Sequence, residues 1–337
     1  MNIIITGATG LVGAHLLSFL LKNKVEDKIR IPFRTEDKRQ ELIQFLIDQD
    51  IDNQFIEDIE WLSGDLLDIS FCEDLLINDS LLFHCAAQVS FNKKEAEQMI
   101  ENNVLISRNL VNVSLNRAAI RFVHLSSVAA LGSSPEGTEI DESCYWDADQ
   151  AHSPYSKSKY LSELEIWRGI AEGLEACIAM PSIVLGVYPS SKSSTAMFKM
   201  AYNNFPYYAS GSNGFIGIQD LCKALWQMAQ STCSGERFIL SSNNLTYKQV
   251  SAWMSISFGN PAPKKIASSR LAMFALIIEW FRVLFGKNRT LSWDLFKTVS
   301  RHKAYSNKKL SEHFDFQYNE LESQIVESSK QYLRFSS

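Results

Sequence analysis

The first half of the chain repeats one pattern, in which a short, continuously apolar strand is followed by a helix. Because such strands are apolar on both faces, each face has to be covered, which is typical of a parallel sheet between two layers of helices. The pattern therefore predicts an α/β fold with a doubly wound parallel sheet. The predicted strands span 3–5, 29–33, 59–62, 81–86, 120–125 and 176–180, and the predicted helices span 11–22, 37–49, 93–117 and 154–172.

The turn after the first strand reads TGATGLVG and contains Gly7, Gly10 and Gly13. A dinucleotide pyrophosphate needs backbone N–H groups at a helix N-terminus, with no side chain in the way. Gly7 permits the tight turn, Gly10 lets the phosphates approach, and Gly13 lets the helix pack closely on the strand. The spacing is GxxGxxG instead of GxGxxG, but its place between strand and helix predicts a Rossmann-type dinucleotide-binding fold.

The end of the second strand indicates which nicotinamide dinucleotide is bound. Enzymes that prefer NAD usually carry an acidic residue there for the ribose 2′-hydroxyl, and this chain has Arg34 instead. A guanidinium suits a 2′-phosphate, and Lys38 or Arg39 is a candidate second contact. The predicted cofactor is therefore NADP(H). NAD(H) is the alternative, because the acidic pair at 36–37 lies close to Arg34. In that alternative Arg34 is an ordinary surface charge.

Two segments suggest a catalytic centre. Tyr155 and Lys159 stand at positions i and i+4 of a predicted helix and therefore share one face. The ammonium is expected to lower the pKa of the tyrosine, which then acts as general acid or base in hydride transfer to a carbonyl or from an alcohol. Ser126 and Ser127 end a predicted parallel strand, where a hydroxyl donor for the substrate oxygen belongs.

Together, the glycine turn, the Ser126-Ser127 pair and the YSKSK motif resemble the extended short-chain dehydrogenase/reductase (NAD-dependent epimerase/dehydratase) family, over nearly the whole chain. The resemblance implies that Ser127, Tyr155 and Lys159 are catalytic. The cofactor contacts that it implies, together with those argued above, are Gly7, Thr9, Gly10, Leu11, Val12, Gly13, Arg34, Lys38, Asp65, Leu66, Ala86, Ala87, Gln88, Asn103, Tyr155, Lys159, Pro181 and Ile183.

Three features resemble the dihydroflavonol-reductase-like branch of this family: Arg34, the EIDES segment at 139–143 followed by Trp146, and the segment 305–310. Met180 stands where the family usually has an arginine, which puts a sugar-nucleotide contact from that position in doubt. The favoured interpretation is reduction of a carbonyl, or oxidation of an alcohol, in a small apolar substrate. The alternatives are a nucleotide-sugar epimerase or dehydratase and a non-catalytic NAD(P)-binding regulator, although a regulator would be expected to have lost the tyrosine or the lysine.

Composition argues against several other classes. The net charge is −5 at pH 7, without the basic clusters of nucleic-acid-binding proteins. The six cysteines form no CxxC pair, so we expect free thiols, no metal site and a cytoplasmic location. No apolar run reaches the roughly 20 residues of a transmembrane helix. The expected partners are a small-molecule substrate and, because the family often dimerises through its long helices, a second copy of the chain.

We expect residues 1–181, with 214–240 returning, to form the dinucleotide-binding domain, and 182–213 with 241–337 to form a smaller substrate-binding lobe. Within that lobe, 271–285 reads LAMFALIIEWFRVLF and is apolar nearly all round, so something has to bury it. It packs inside the lobe, rests on a membrane surface, or lines the substrate pocket. Our hypothesis is the pocket, which predicts an apolar substrate.

Overall fold

The structure is a computed structural model that describes residues 1–25, 27–90, 93–135, 137–149, 152–189, 194–267 and 298–336. Within these residues the strands are β1 (Asn2–Thr6), β2 (Lys28–Phe33), β3 (Glu60–Ser63), β4 (Ser80–His84), β5 (Ile120–Leu125), β6 (Glu175–Pro181), β7 (Ile183–Leu185), β8 (Tyr207–Tyr208), β9 (Ser212–Gly217), β10 (Glu236–Leu240), β11 (Asn243–Thr246) and β12 (Lys265–Ile266). The helices are α1 (Leu11–Lys22), α2 (Glu36–Asp48), α3 (Asn53–Glu57), α4 (Ile69–Leu75), α5 (Ala96–Leu115), α6 (Pro154–Ala171), α7 (Ser194–Tyr202), α8 (Ile218–Gln230), α9 (Tyr247–Ser257), α10 (Lys308–Phe314) and α11 (Leu321–Ser336).

The central sheet has seven parallel strands in the order β10-β6-β5-β4-β1-β2-β3, which confirms the predicted doubly wound parallel sheet. The chain adds strands first on one side of β1 and then on the other. The order therefore reverses between β1 and β4, and ligands of such sheets bind outside the carboxyl ends of the strands at this point.

The strands are apolar on both faces because each face has its own core. Ile3 and Ile5 belong to one buried cluster, and Ile4 between them belongs to the other. Helices α1 and α8 pack together over the first cluster, while α5 and α6 pack side by side over the second. This alternation turns a continuous apolar sequence into a sheet that is covered on both sides.

A smaller layer stands beside the central sheet. Strands β7, β9 and β11 form a three-stranded sheet, and α7, α9 and α11 enclose a third apolar cluster with it. Of the segment 214–240, only β10 joins the central sheet, because β9 pairs with β7 and β11. The proposed division into two domains stays a prediction. The segment 271–285 lies outside the described residues.

Helix α11 ties the two parts together. Near its start, the buried carboxylate of Asp220 accepts hydrogen bonds from the side chains of Asn319, at 2.6 Å, and Gln324, at 2.8 Å. Near its end, the ring of Phe335 lies 5.8 Å from the ring of Phe45 in α2. The helix therefore covers apolar surface of the first half of the chain.

Candidate active site

Two of the three glycines in the turn are required by the backbone. Gly7 has a φ of +72°, and a Cβ added there would lie 2.6 Å from the backbone nitrogen of Ala86. A Cβ at Gly13 would lie 2.4 Å from the Gly7 carbonyl oxygen, so the helix could not pack this closely. At Gly10 the nearest such atom would be 3.4 Å away. Gly10 therefore keeps space open, at the position where the sequence predicted that phosphates approach.

The N-terminus of α1 carries donors without side-chain partners. Its N-cap residue, Gly10, has no side chain to bond the first N–H groups, and the first turn contains no acidic residue. Such N–H groups, at the positive end of the helix dipole, favour an anion. The donor set therefore fits the pyrophosphate of a dinucleotide, while the individual contacts with Thr9, Leu11 and Val12 stay predictions.

Three cations follow β2, and their surroundings differ. Lys38 pairs with Glu41 at 2.8 Å. The guanidinium carbon of Arg39 lies 5.2 Å from the centre of the Trp61 ring, so this side chain is stacked against the sheet edge. Arg34 is exposed and makes no ion pair with any described residue. Of the three, Arg34 is the cation available to a ligand.

Two asparagines of α5 fix loops at the carboxyl ends of the strands. Asn103 accepts a hydrogen bond from the Gln88 N–H at 2.7 Å and donates to the Gln88 carbonyl at 3.0 Å. It also donates to the Ser158 hydroxyl at 3.3 Å, which links the loop to α6. Asn109 donates to both carbonyls of residues 66–67 at 3.1 Å. The predicted cofactor loops are therefore held by α5, although direct contacts with a cofactor stay predictions.

The remaining predicted contacts lie along the same edge. Asp65 and Leu66 follow β3, while Ala86 and Ala87 follow β4. Pro181 ends β6, and Ile183 begins β7. Because all of these segments follow the carboxyl ends of parallel strands, the predicted set occupies one edge of the sheet.

Ser126 and Ser127 have different surroundings. The hydroxyl of Ser127, which is partly exposed, accepts a hydrogen bond from the Ala129 N–H at 3.1 Å and caps a short 3₁₀ turn. Ser126 is 2% exposed and donates from Oγ to a carboxylate oxygen of Glu163 at 2.6 Å. Ser127 is therefore the more accessible of the two serines, while its catalytic role stays a prediction.

The other two predicted catalytic residues lie on consecutive turns at the start of α6. The Ser127 side chain is close enough to the Tyr155 hydroxyl to affect its pKa. Lys159 is buried, and its Nζ donates to the Leu125 carbonyl oxygen at 2.9 Å. The end of β5 and the start of α6 thus bring Ser127, Tyr155 and Lys159 together.

The pKa of Tyr155 differs from the expectation. Burial raises it, and a hydrogen bond with the Ser127 side chain opposes the rise. The sequence argument expected the Lys159 ammonium to lower it, and that direction is wrong because the loss of water around the phenol outweighs the other influences. Burial also lowers the pKa of Lys159 to about 8, while the Glu163 carboxylate acts against this fall.

Three buried ionisable side chains around Lys159 were not predicted as site residues. The rings of His84 and His124 lie 5.1 Å apart, and burial lowers the pKa of both imidazoles, that of His84 to about 3. Glu163 is 2% exposed and lies one helical turn after Lys159. Its spacing was a usable signal, because it continues the helix face that carries Tyr155 and Lys159. His84 and His124 carry no comparable sequence signal, because all that marks them is their place in apolar strands.

The segments that resembled the dihydroflavonol-reductase-like branch meet in space. The Ile140 N–H donates to the carbonyl of residue 304 at 2.8 Å, and the N–H of residue 306 donates back to Ile140 at 2.9 Å. The Trp146 ring stacks between His152, at 3.5 Å, and Tyr160, at 4.5 Å between ring centres. The segment 139–146 is therefore fixed against the C-terminal part of the chain and against α6.

A Rossmann-type sheet with Ser127, Tyr155 and Lys159 at its carboxyl edge defines an NAD(P)-dependent oxidoreductase of the short-chain dehydrogenase/reductase kind. The sequence profile of the NAD-dependent epimerase/dehydratase family matches residues 3–240. The chain therefore belongs to this family.

Individual relatives cover most of the chain. It is similar to a putative dihydroflavonol 4-reductase of Synechocystis sp., with 27% identity over 312 residues that cover 90% of this chain and 87% of the relative. It is also similar to sterol demethylase protein B of Methylococcus capsulatus, with 25% identity over 296 residues, 86% of this chain and 85% of the relative. A solved UDP-glucose 4-epimerase of Thermotoga maritima, with UDP-glucose, superposes with a TM-score of 0.74 at 15% identity and covers 100% of both chains, which shows the shared fold.

Among the described residues, no helix is both long and apolar enough to cross a membrane. The same residues contain no group of His, Cys, Asp or Glu side chains arranged to hold a metal ion. The expected homodimer and the expected cytoplasmic location stay predictions.

Proposed function

We propose that the chain is an NADP(H)-dependent carbonyl reductase, acting in reverse as an alcohol dehydrogenase, on a small apolar substrate. The observation that carries the proposal is the convergence of Ser127, Tyr155 and Lys159 beside the point where the strand order reverses. In such a site a bound nicotinamide supplies or accepts the hydride. The protein has to hold the carbonyl oxygen and deliver a proton to it.

Tyr155 suits the role of proton donor. Because burial raises its pKa, the phenol stays protonated at neutral pH and is available as a general acid. The Ser127 hydroxyl accepts from the Ala129 N–H and hydrogen-bonds with the Tyr155 side chain, so a carbonyl oxygen bound between them could accept its proton instead. Two donors are thus directed at one acceptor, which favours the direction of carbonyl reduction.

Lys159 supplies charge to the same site. With a pKa of about 8, its amine is mainly an ammonium at pH 7. An ammonium has three donors, of which the Leu125 carbonyl uses one. The other two are available to the Tyr155 oxygen and to a ribose hydroxyl. The positive charge then stabilises the phenolate that remains after the proton has been transferred.

The surroundings of Arg34 support NADP(H) as the preferred cofactor. It is exposed at the end of β2, whereas the neighbouring Lys38 is paired with Glu41. A free guanidinium can bind a 2′-phosphate with charge-assisted hydrogen bonds. A ribose 2′-hydroxyl offers no such charge, so the two cofactors are expected to differ in affinity.

Replacing Arg34 by alanine is expected to weaken NADPH binding by tenfold or more and to leave NADH binding nearly unchanged. The reason is that one hydrogen bond with a charged group contributes about 1.5–3 kcal/mol. Titration of wild type and Arg34→Ala with both cofactors, followed by fluorescence, measures the effect. Lys248→Ala is the control, because it removes an exposed charge on α9, outside the predicted cofactor contacts. Equal affinity of the wild type for NADPH and NADH would refute the preference.

The apolar substrate is proposed from the residue that replaces the family's arginine. Met180 is completely buried among apolar side chains of the cluster under α5 and α6. It therefore offers neither charge nor hydrogen-bond donors to a phosphorylated substrate. An uncharged carbonyl compound needs no such group.

Consumption of NADPH with a panel of aldehydes, ketones and nucleotide sugars tests the proposal. We expect net oxidation of NADPH with apolar aldehydes or ketones. Turnover of nucleotide sugars without net change in the cofactor would instead support an epimerase, the second candidate, which the similarity to the UDP-glucose 4-epimerase favours. That outcome would contradict the reductase.

A further inference from the structure

Glu163 is a buried carboxylate whose partners come from three parts of the chain. Its Oε2 accepts from the Ser126 hydroxyl at 2.6 Å. Its Oε1 accepts from Trp167 Nε1 at 3.1 Å and from Arg237 Nη1 at 3.1 Å. Lys159 lies one turn earlier on the same helix. The carboxylate therefore touches the segment that carries Ser127, the helix that carries Tyr155, and strand β10.

From this arrangement we infer that Glu163 is a positioning residue, which holds the end of β5 in place and keeps Lys159 in its ammonium form. The inference rests on the proposed function for its catalytic consequence. The protonation state of Lys159 does not depend on the proposed function, because it is a property of the free protein.

The first part of the argument concerns Ser127. Its neighbour Ser126 is anchored on both sides: its backbone N–H donates to the Ala179 carbonyl at 2.8 Å, and its hydroxyl donates to Glu163. Hydrogen bonds to a buried charged group contribute about 1.5–3 kcal/mol each. Loss of this anchor frees the turn from which the Ser127 hydroxyl reaches the site.

The second part concerns the charge on Lys159. The groups that face it are His84 and Cys85 at the end of β4, His124 on β5, and Glu163 on its own helix. Both histidines are neutral, since burial lowers their pKa values, that of His84 to about 3. The Cys85 thiol is neutral as well, because burial raises its pKa to about 12. Among the described groups around Lys159, Glu163 is therefore the anion, and it is ion-paired with Arg237.

Arg237 makes this carboxylate more important. Its guanidinium is bonded to Glu163 and, through Nε at 3.0 Å and Nη2 at 2.6 Å, to the carbonyl of Glu142. Without the Glu163 charge, Arg237 would lose its carboxylate partner, and no described group around Lys159 would balance the ammonium. A buried ammonium without an anion beside it favours loss of its proton.

The test is a comparison of Glu163→Gln with Glu165→Gln in the full chain. Glutamine keeps the shape and the acceptor oxygen at both positions but removes the charge. Glu165 lies on the same helix and pairs with Arg108 and Arg168, away from Lys159. The control therefore removes an equal charge from another face of α6.

The first readout needs no substrate. The free energy of unfolding is measured between pH 6.5 and 10.5 for each protein and for the same protein carrying Lys159→Met. The difference between the two values is the contribution of Lys159 at that pH. In the Glu163→Gln background we expect the midpoint of this pH dependence to fall by about one pH unit, a tenfold change in proton affinity. We expect no such change in the Glu165→Gln background. An unchanged midpoint for Glu163→Gln, or an equal shift for both variants, overturns the inference.

The second readout uses the carbonyl substrate found by the panel. Glu163→Gln is expected to move the alkaline limb of the turnover profile to lower pH by the same amount, because removing a negative charge eases proton loss from the Tyr155–Lys159 pair. Ser126→Ala is expected to lower turnover severalfold without moving that limb. If no carbonyl compound is turned over while the unfolding midpoint still shifts, the proposed reaction fails and the role of Glu163 for Lys159 stands. If turnover has the wild-type pH profile and the unfolding midpoint does not shift, the role of Glu163 is overturned and the proposed reaction stands.

Discussion

Replacing Tyr155 by phenylalanine is expected to lower turnover at least a hundredfold while leaving cofactor affinity nearly unchanged. General acid–base groups contribute about 10²- to 10⁴-fold, and the variant removes the hydroxyl while keeping the ring. Steady-state turnover on the carbonyl substrate, with NADPH titration alongside, measures both quantities.

Tyr160→Phe is the matched control for that experiment. Tyr160 lies on the same helix, and its ring stacks on Trp146, a contact that phenylalanine preserves. The control is expected to retain turnover close to that of the wild type. Near-normal turnover in Tyr155→Phe would show that the proton comes from another group.

Replacing Lys159 by methionine is expected to abolish most turnover and to stabilise the free protein at neutral pH. The folded protein lowers the pKa of this lysine from its ordinary value of 10.5 to about 8. Such a group destabilises the fold below pH 8, and the cost disappears as the pH rises from 8 towards 10.5. The pKa shift corresponds to a gain in stability of roughly 3 kcal/mol when the lysine is replaced. About 1–3 kcal/mol of this gain is lost, because the Leu125 carbonyl has no partner in the variant.

Urea unfolding at pH 7 and pH 10 measures this effect. The stability of the wild type relative to Lys159→Met should increase at pH 10, since only the wild type is relieved of a buried ammonium. Lys157→Met is the control, because Lys157 is exposed on the same helix. A stability difference that does not change with pH would mean that Lys159 is not destabilised by burial.

The regular part of the fold could be predicted from sequence because its signals are local. Helix α1 has the predicted bounds 11–22, and strand β5 has the predicted bounds 120–125. The short helices α3 and α4 were missed, since five and seven residues hold too few turns to show a period.

The candidate site was predictable where one segment carries the chemistry. The glycine turn and the Tyr155–Lys159 spacing identify their residues without knowledge of the fold. Glu163 was missed because two of its partners, Ser126 and Arg237, are 37 and 74 residues away along the chain. The direction of the Tyr155 pKa was wrong because burial of a phenol depends on neighbours from several elements.

The contact between α11 and α2 has a consequence for how the protein is made. Phe45 is synthesised early, yet Phe335, which lies against its ring, leaves the ribosome only after the whole intervening chain. Until then the Phe45 ring packs on the rings of His15 and Tyr188, and the side of it that Phe335 covers stays uncovered. A protein with this arrangement therefore completes the packing around Phe45 only after α11 has been translated.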